Sequence, residues 1–590
     1  MDSAKSNDMR VYAGIAASPG IVVGRLRVID RRRLSVEEYD VGQTGVSAEI
    51  DRLKGAIART RDELESLKGQ LQASIGEEHL FFIDTHLLIL ADTRLFSETA
   101  ANIETGLINA EGALRRTLHR YREFFAGIGD PYLRERISDV ETVIEKILRN
   151  MAGEAHAPIS QEGGQTIIAA HDISPADILQ MDRSSIIGMV TEIGGRTSHT
   201  SILARAFELP AVVGVEGIAD LLLDGSPVVL DGLSGRVVVN PDSDAFLDCL
   251  RRKQQYEYVE RELLKTASLP AETPDGQRIL LKGNVEVPEE GMSIVRHGGE
   301  GIGLYRTEML FMNRPEMPGE EEQYQAYSAM QRAVAPHPLT IRTLDAGGDK
   351  LLDGIIRVSE QNPALGMRAI RLALSMPDEF KKQLRAILRV SAAGPVRIMF
   401  PMISGLEELR RARLLLTEAM TELEAAGIAF DRNISVGIMI EVPSAVVMAD
   451  LLAREADFFS VGTNDLIQYS LAMDRSNEHL ADMFQPLHPA VLRSLRRVVE
   501  AAHGGGIDAC ICGEMAGDPL FLPLLLGLGF DELSMSASSI PRVKQVLRRC
   551  TRERALEITR ACFGFATATE VEQFLKDAAT GQIGGEPGLT

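Results

Sequence analysis

The chain has 590 residues, a quarter of them charged, and a formal net charge of -21. That length exceeds what one hydrophobic core organises, so several domains are expected. The acidic balance argues against nucleic acid, whose phosphates need clustered Lys and Arg; it suits a basic protein partner, although solubility alone explains it equally well.

Residues 11–30 read as two short β-rich segments joined at Ser18-Pro19-Gly20, a turn signal that also interrupts any apolar leader. From 35 to about 151 the pattern is helical. Apolar residues recur as in Ile50-Leu53-Ile57 and Leu64-Leu67-Leu71, with charges on the opposite face and few glycines between. Strand patterns return at 166–170, 186–190, 211–214 and 227–240, and the segment before residue 34 is expected to complete this small α/β unit around the helical block. A charged helix over 248–265 then leads to Pro270.

Beyond residue 275, eight apolar β-rich runs alternate with helical patterns: 279–285, 301–305, 339–344, 396–401, 436–440, 458–461, 509–512 and 532–535. Eight β/α units predict a TIM barrel with its site at the C-terminal strand ends, with a doubly wound open sheet as the structural alternative. The apolar run 519–530 is too short to span a bilayer, so no membrane span is expected. Five cysteines, Cys249, Cys510, Cys512, Cys550 and Cys562, suggest neither a disulfide framework nor a cysteine zinc site, and fit the cytoplasm.

Charge gathers at the predicted strand ends. Arg306 follows the second run, Arg342 and Asp345 lie at the third, Glu441 ends the fifth, Asn464 and Asp465 follow the sixth, and Cys512 ends the seventh. In a barrel these positions share one mouth, which suits a small anionic ligand held by guanidinium forks and a cation. Glu441 and Asp465 offer hard oxygens suited to Mg²⁺, against the alternative that each merely pairs with an arginine. Cys510 and Cys512 face the same way on their strand, with Cys510 read as core filler. For Cys512 at the rim, the residues alone leave proton donation and simple packing equally open.

A second centre is the run from Gly194 to Ser201, in which His199 precedes a helix expected to begin at Ile202 under a Thr197 or Ser198 cap. Free backbone N–H groups and the helix dipole favour a phosphate there, and a neutral imidazole is a competent nucleophile toward phosphorus. Arg196 and Arg205 are candidates to add positive charge.

Longer motifs carry a family resemblance. GGRTSHTSILARAFELPAVVG (194–214), GIGLYRTEMLFM (301–312), IRTLDAGGDK (341–350), NPALGMRAIR (362–371), GIMIEVPSA (437–445), DFFSVGTNDLIQYSLAMDR (457–475) and CGEMAGD (512–518) resemble Enzyme I of the bacterial phosphoenolpyruvate:sugar phosphotransferase system. With ASPGIVVG (17–24), the resemblance runs from about residue 12 to about 570. It implies that His199 is phosphorylated through Nε2, that Arg306, Arg342, Arg368, Asn464, Asp465 and Arg475 bind phosphoenolpyruvate, that Glu441 and Asp465 hold Mg²⁺, and that Cys512 protonates the methylene carbon. It also implies a phosphohistidine domain in two pieces (1–34 and 154–240), a helical subdomain (35–153) that docks the phosphocarrier HPr, a linker (241–270) about which the phosphohistidine domain swings, and a phosphoenolpyruvate-binding barrel (271–590) that forms a homodimer. Two rival readings are a pyruvate phosphate dikinase or phosphoenolpyruvate synthase, for whose ATP domain the chain is expected to have no room, and a regulatory relative without turnover, against which stand His199, Cys512 and the carboxylates.

Overall fold

The computed structural model describes residues 9–29, 38–75, 81–126, 137–152, 165–173, 181, 185–195, 199–218, 224–311, 316–347, 362–474, 480 and 483–582. The chain divides into two compact units, Met1–Glu257 and Tyr258–Thr590, the division falling within the helix Ser243–Lys265.

The first unit is built on an eight-stranded sheet ordered β1-β8-β7-β3-β4-β5-β6-β2. Its strands are β1 (Arg10–Ala13), β2 (Ile15–Ser18), β3 (Ile21–Ile29), β4 (Thr166–Ala170), β5 (Ile186–Thr191), β6 (Ala211–Val213), β7 (Pro227–Asp231) and β8 (Arg236–Val239). Two details differ from the sequence reading. The N-terminal segment makes three strands, because the chain bends at Gly14 between β1, which pairs with β8, and β2, which pairs with β6. A Cβ at Gly14 would stand 2.5 Å from Val215 Cγ2 and 2.7 Å from the Val213 carbonyl, so only glycine fits where the sheet curls round and its two ends meet. The run 227–240 is also a hairpin of β7 and β8, since Asp231 turns back to accept from the N–H groups of Leu233 and Ser234.

β3 pairs in parallel with β4, from Arg25 opposite Thr166 to Ile29 opposite Ala170, so the intervening helices are an insertion between neighbouring strands of one sheet. They are α1 (Gly42–Ile75), α2 (Phe81–Ala91), α3 (Thr93–Gly106), α4 (Ala110–Ala126) and the helix Ile137–Ala152. Their stripes of Leu53, Leu64, Leu95, Ile103, Leu114, Val143 and Ile147 close a core separate from that of the sheet. The helix expected over 248–265 starts earlier, at Ser243, because Asp242 accepts from the Ala245 N–H at 2.8 Å and caps it.

The second unit is a closed, all-parallel barrel in the order β10-β11-β12-β13-β14-β15-β16-β9. Its strands, β9 (Leu280–Val285), β10 (Ile302–Tyr305), β11 (Leu339–Arg342), β12 (Val396–Phe400), β13 (Ser435–Ile440), β14 (Phe458–Val461), β15 (Asp508–Ile511) and β16 (Glu532–Met535), fall on the eight predicted runs. The open-sheet alternative is thereby excluded. These strands read as apolar runs because helices bury their outer faces while their inner faces fill the barrel.

The barrel floor is polar. Lys282 Nζ lies 2.7 Å from Glu532 Oε1, Arg397 Nη2 lies 2.7 Å from Glu532 Oε2, and the Cys510 thiol donates to Glu532 at 3.1 Å. Burial alone would raise the Glu532 carboxyl, but Arg397 and Lys282 bring it down to about 2. Cys510 thus packs inward as expected, with a carboxylate partner besides. Among the described residues, no helix is long and apolar enough to cross a membrane.

Candidate functional site

The C-terminal ends of the barrel strands converge on one cluster of charge. Arg342, the last residue of β11, is buried; its Nη1 lies 2.8 Å from Asp345 Oδ2 and its Nη2 donates to Glu308 Oε1 at 3.1 Å. Arg368 stands just before the helix Ala369–Ser375, with Nη2 donating to Asp345 Oδ1 at 2.9 Å and lying 3.5 Å from Asp465 Oδ2, and with Nη1 donating to the Tyr469 hydroxyl at 3.2 Å. Arg306, just past β10, donates to Glu286 Oε1 at 2.7 Å. Burial opposes the charge on Arg342 and Arg368, yet the facing carboxylates hold both guanidiniums firmly protonated, with pKa values raised above the usual arginine range.

Glu441 follows β13 directly and is buried, its Oε1 accepting from the Met402 N–H at 2.6 Å. Oxygens of Asp345, Glu441 and Asp465 all lie within 4.8 Å of one another. Burial, with Asp345 and Asp465 alongside, pushes the Glu441 carboxyl up to about 8 against the opposing pull of Arg342 and the Met402 N–H. Three hard oxygen donors converging in this way fit Mg²⁺, and the third of them, Asp345, had no metal role in the sequence reading.

Local backbone geometry serves the same place. Ala369, beside Arg368, and Met402, which binds Glu441, have φ values of +52° and +55°. Left-handed conformations cost residues with a Cβ roughly 1–2 kcal/mol, and here they aim one guanidinium and one N–H at the mouth. Gly513 is required because a Cβ would fall 1.6 Å from Thr463 Oγ1; its absence lets the helix Thr463–Leu471, which carries Asn464 and Asp465, approach the strand end that bears Cys512.

Cys512 is 3% exposed, and burial raises its thiol pKa, so the group is a protonated acid at neutral pH. Its thiol reaches the Val461 carbonyl at 3.5 Å, while Asn284 donates to the Cys512 carbonyl at 2.9 Å. Asn464 Nδ2 lies 3.5 Å from Glu514 Oε1. The buried Nε of Arg342 finds no acceptor among the described residues, an open donor at the heart of the cluster.

The barrel mouth thus brings together Arg306, Arg342, Arg368, Glu441, Asn464, Asp465 and Cys512. Arg475 lies outside the described residues. The sequence reading missed Glu286 and Glu308, whose only signal was their position one residue after β9 and three after β10.

In the first unit, His199 opens the helix His199–Ala206, three residues earlier than expected. The expected cap, Thr197 or Ser198, lies outside the described residues; within the helix, Thr200 Oγ1 donates to the Ile173 carbonyl at 2.9 Å and Ser201 Oγ donates to the Gly195 carbonyl at 2.7 Å. Arg205 Nη1 donates to the Ala17 carbonyl at 3.1 Å. His171 Nδ1 lies 2.6 Å from Glu192 Oε2, where β4 and β5 end.

Three family models match in succession, all of PEP-utilising enzymes: the N-terminal domain over 13–136, the mobile domain over 162–235 and the PEP-binding domain over 260–552. The fold and the barrel mouth therefore belong to a PEP-utilising enzyme. A phosphoenolpyruvate-protein phosphotransferase of Geobacillus stearothermophilus is 41% identical over 563 residues, covering 95% of this chain and 97% of the relative. Its counterpart in Bacillus subtilis (strain 168) is 38% identical over 569 residues, 96% of this chain and 100% of the relative. A solution structure of an Enzyme I protein, 31% identical, covers 42% of this chain and 99% of its own, with a TM-score of 0.34. The chain belongs to the phosphoenolpyruvate-protein phosphotransferase family.

Proposed function

We propose that this enzyme moves the phosphoryl group of phosphoenolpyruvate to Nε2 of His199, releases pyruvate, and passes the group to a histidine of HPr docked on the helical segment 35–153, the first step of a phosphotransferase system. The observation that carries this reading is one barrel mouth combining three guanidiniums, a trio of carboxylates and a buried thiol, in a chain whose other unit starts a helix with His199.

Arg306, Arg342 and Arg368, with Asn464 and Arg475, hold the substrate's carboxylate and phosphate. Glu441 and Asp465 hold Mg²⁺, which when bound neutralises charge on the phosphate and on the leaving enolate oxygen. The His199 nitrogen lone pair forms the N–P bond as the bond between phosphorus and the enol oxygen breaks, the electron pair leaving with that oxygen. Positioning supplies most of the rate in such transfers. The protonated Cys512 gives its proton to the methylene carbon of the enolate, which becomes pyruvate, and the thiolate recovers a proton from water. A carrier imidazole then displaces His199 from phosphorus. In this reading the barrel also forms the homodimer and the enzyme works in the cytoplasm.

The test is incubation with phosphoenolpyruvate labelled in its phosphate, Mg²⁺ and HPr. Label on His199, pyruvate formed in equal amount and label on the carrier are expected, and His199→Ala abolishes all three. Label that persists in His199→Ala overturns the assignment.

A further inference from the structure

Resting on this reading, we infer that Asp345 is a placeholder: without a cation it occupies the guanidiniums of Arg342 and Arg368, and with a divalent cation at Glu441 and Asp465 it turns to that cation and releases both guanidiniums to the incoming anion.

Asp345 spends one oxygen on each arginine, Oδ2 at 2.8 Å from Arg342 Nη1 and Oδ1 at 2.9 Å from Arg368 Nη2. Asp345 thus bridges two guanidiniums that a substrate phosphate or carboxylate would also draw on. The same carboxylate also has an oxygen within 4.8 Å of those of Glu441 and Asp465. Asp345 therefore stands between two sets of groups that the reaction needs, one cationic and one anionic. An oxygen that Asp345 gave to a divalent cation would take with it much of the charge that holds the arginines.

The remaining contacts show why such an exchange leaves the site assembled. Arg342 keeps Glu308, and Arg368 keeps the Tyr469 hydroxyl, which itself donates to the Ala364 carbonyl at 2.5 Å. The Asp345 backbone stays anchored by its N–H to Glu308 Oε1 at 2.9 Å, so the exchange needs only side-chain rotation. The open Nε of Arg342 marks a donor that Asp345 leaves without an acceptor.

The charge around the mouth supplies the driving force. Among the described residues, the carboxyl groups of Glu286, Glu308, Asp345, Glu441 and Asp465 outnumber the guanidiniums of Arg306, Arg342 and Arg368, so the mouth gains positive charge for an anion when a divalent cation arrives.

The experiment is calorimetric titration of phosphoenolpyruvate and, separately, of Mg²⁺ alone into the full-length His199→Ala protein, which cannot turn over, with and without Asp345→Asn. With chelator present, Asp345→Asn is expected to bind phosphoenolpyruvate about tenfold tighter than its parent; it should bind Mg²⁺ about tenfold more weakly, and the tightening that Mg²⁺ confers on phosphoenolpyruvate should shrink. Asp345→Ser gives the same pattern and serves if the asparagine variant does not fold. Cation-free phosphoenolpyruvate affinity that is unchanged or weaker overturns the placeholder, even if Mg²⁺ affinity falls. A parent that binds no phosphoenolpyruvate at saturating Mg²⁺ overturns the functional reading itself, and the placeholder with it.

Discussion

The barrel mouth and the His199 helix hold their key residues by opposite means. At the mouth, each described arginine of the site meets a carboxylate, and charge is set against charge in a buried space. At the start of the histidine helix, the neutral hydroxyls of Thr200 and Ser201 donate to backbone carbonyls. The first arrangement is an electrostatic pattern open to rearrangement by a charged ligand. The second fixes the backbone at a helix start, the place from which the proposed function has His199 attack phosphorus. Charged and neutral support are thus divided between two units of one chain.

Three substitutions sharpen this contrast, in falling order of effect. Cys512→Ala should slow pyruvate formation by about 10²–10⁴-fold, the usual worth of a positioned acid, while phosphoenolpyruvate affinity measured by calorimetry changes by less than about threefold. A full rate in this variant would reduce the mouth to a binding site.

Glu532→Gln tests whether charge also supports the barrel floor. It leaves Lys282 and Arg397 buried without their shared partner, and a loss of about 3–5 kcal/mol is expected in urea unfolding. The carboxyl sits at about 2 in the folded protein, below its ordinary 4.5, so its contribution is fully present above pH 4.5 and is lost as pH falls toward 2. The variant should lose that part of the acid dependence, and unfolding midpoints followed between pH 5 and pH 2 would reveal it.

The smallest effect belongs to the histidine unit. Thr200→Val removes one neutral hydrogen bond and should cost about 1 kcal/mol, with slower labelling of His199 by phosphoenolpyruvate, whereas Thr200→Ser retains the hydroxyl and restores the rate. If Thr200→Val matched Cys512→Ala in severity, the division between charged and neutral support would not hold.

Much of the second unit was legible in advance because a parallel barrel buries both faces of its strands. The strands are therefore mostly apolar runs, Lys282, Arg397 and Glu532 of the floor apart, and a charge at a C-terminal end stands out. That is how Arg306, Arg342, Glu441, Asp465 and Cys512 were found together. The curled sheet was harder to read: β1 and β2 look like one segment, and only the crowding of Gly14 against Val213 and Val215 explains the bend. The helix starts at His199, three residues before the expected Ile202, and hydroxyls inside its first turn, on Thr200 and Ser201, bond to carbonyls outside the helix that no local pattern announces.

By itself the sequence determined the classes of structure and the residue types at each centre, since periodicity and strand-end charge are local properties of the chain. Only the tertiary structure decided which charges oppose one another. Asp345 meets Arg368 and neighbours Glu441 and Asp465, and Glu532 meets Lys282 from 250 positions away. Such pairings depend on which strand ends the closed barrel makes adjacent, and no local pattern encodes that distance.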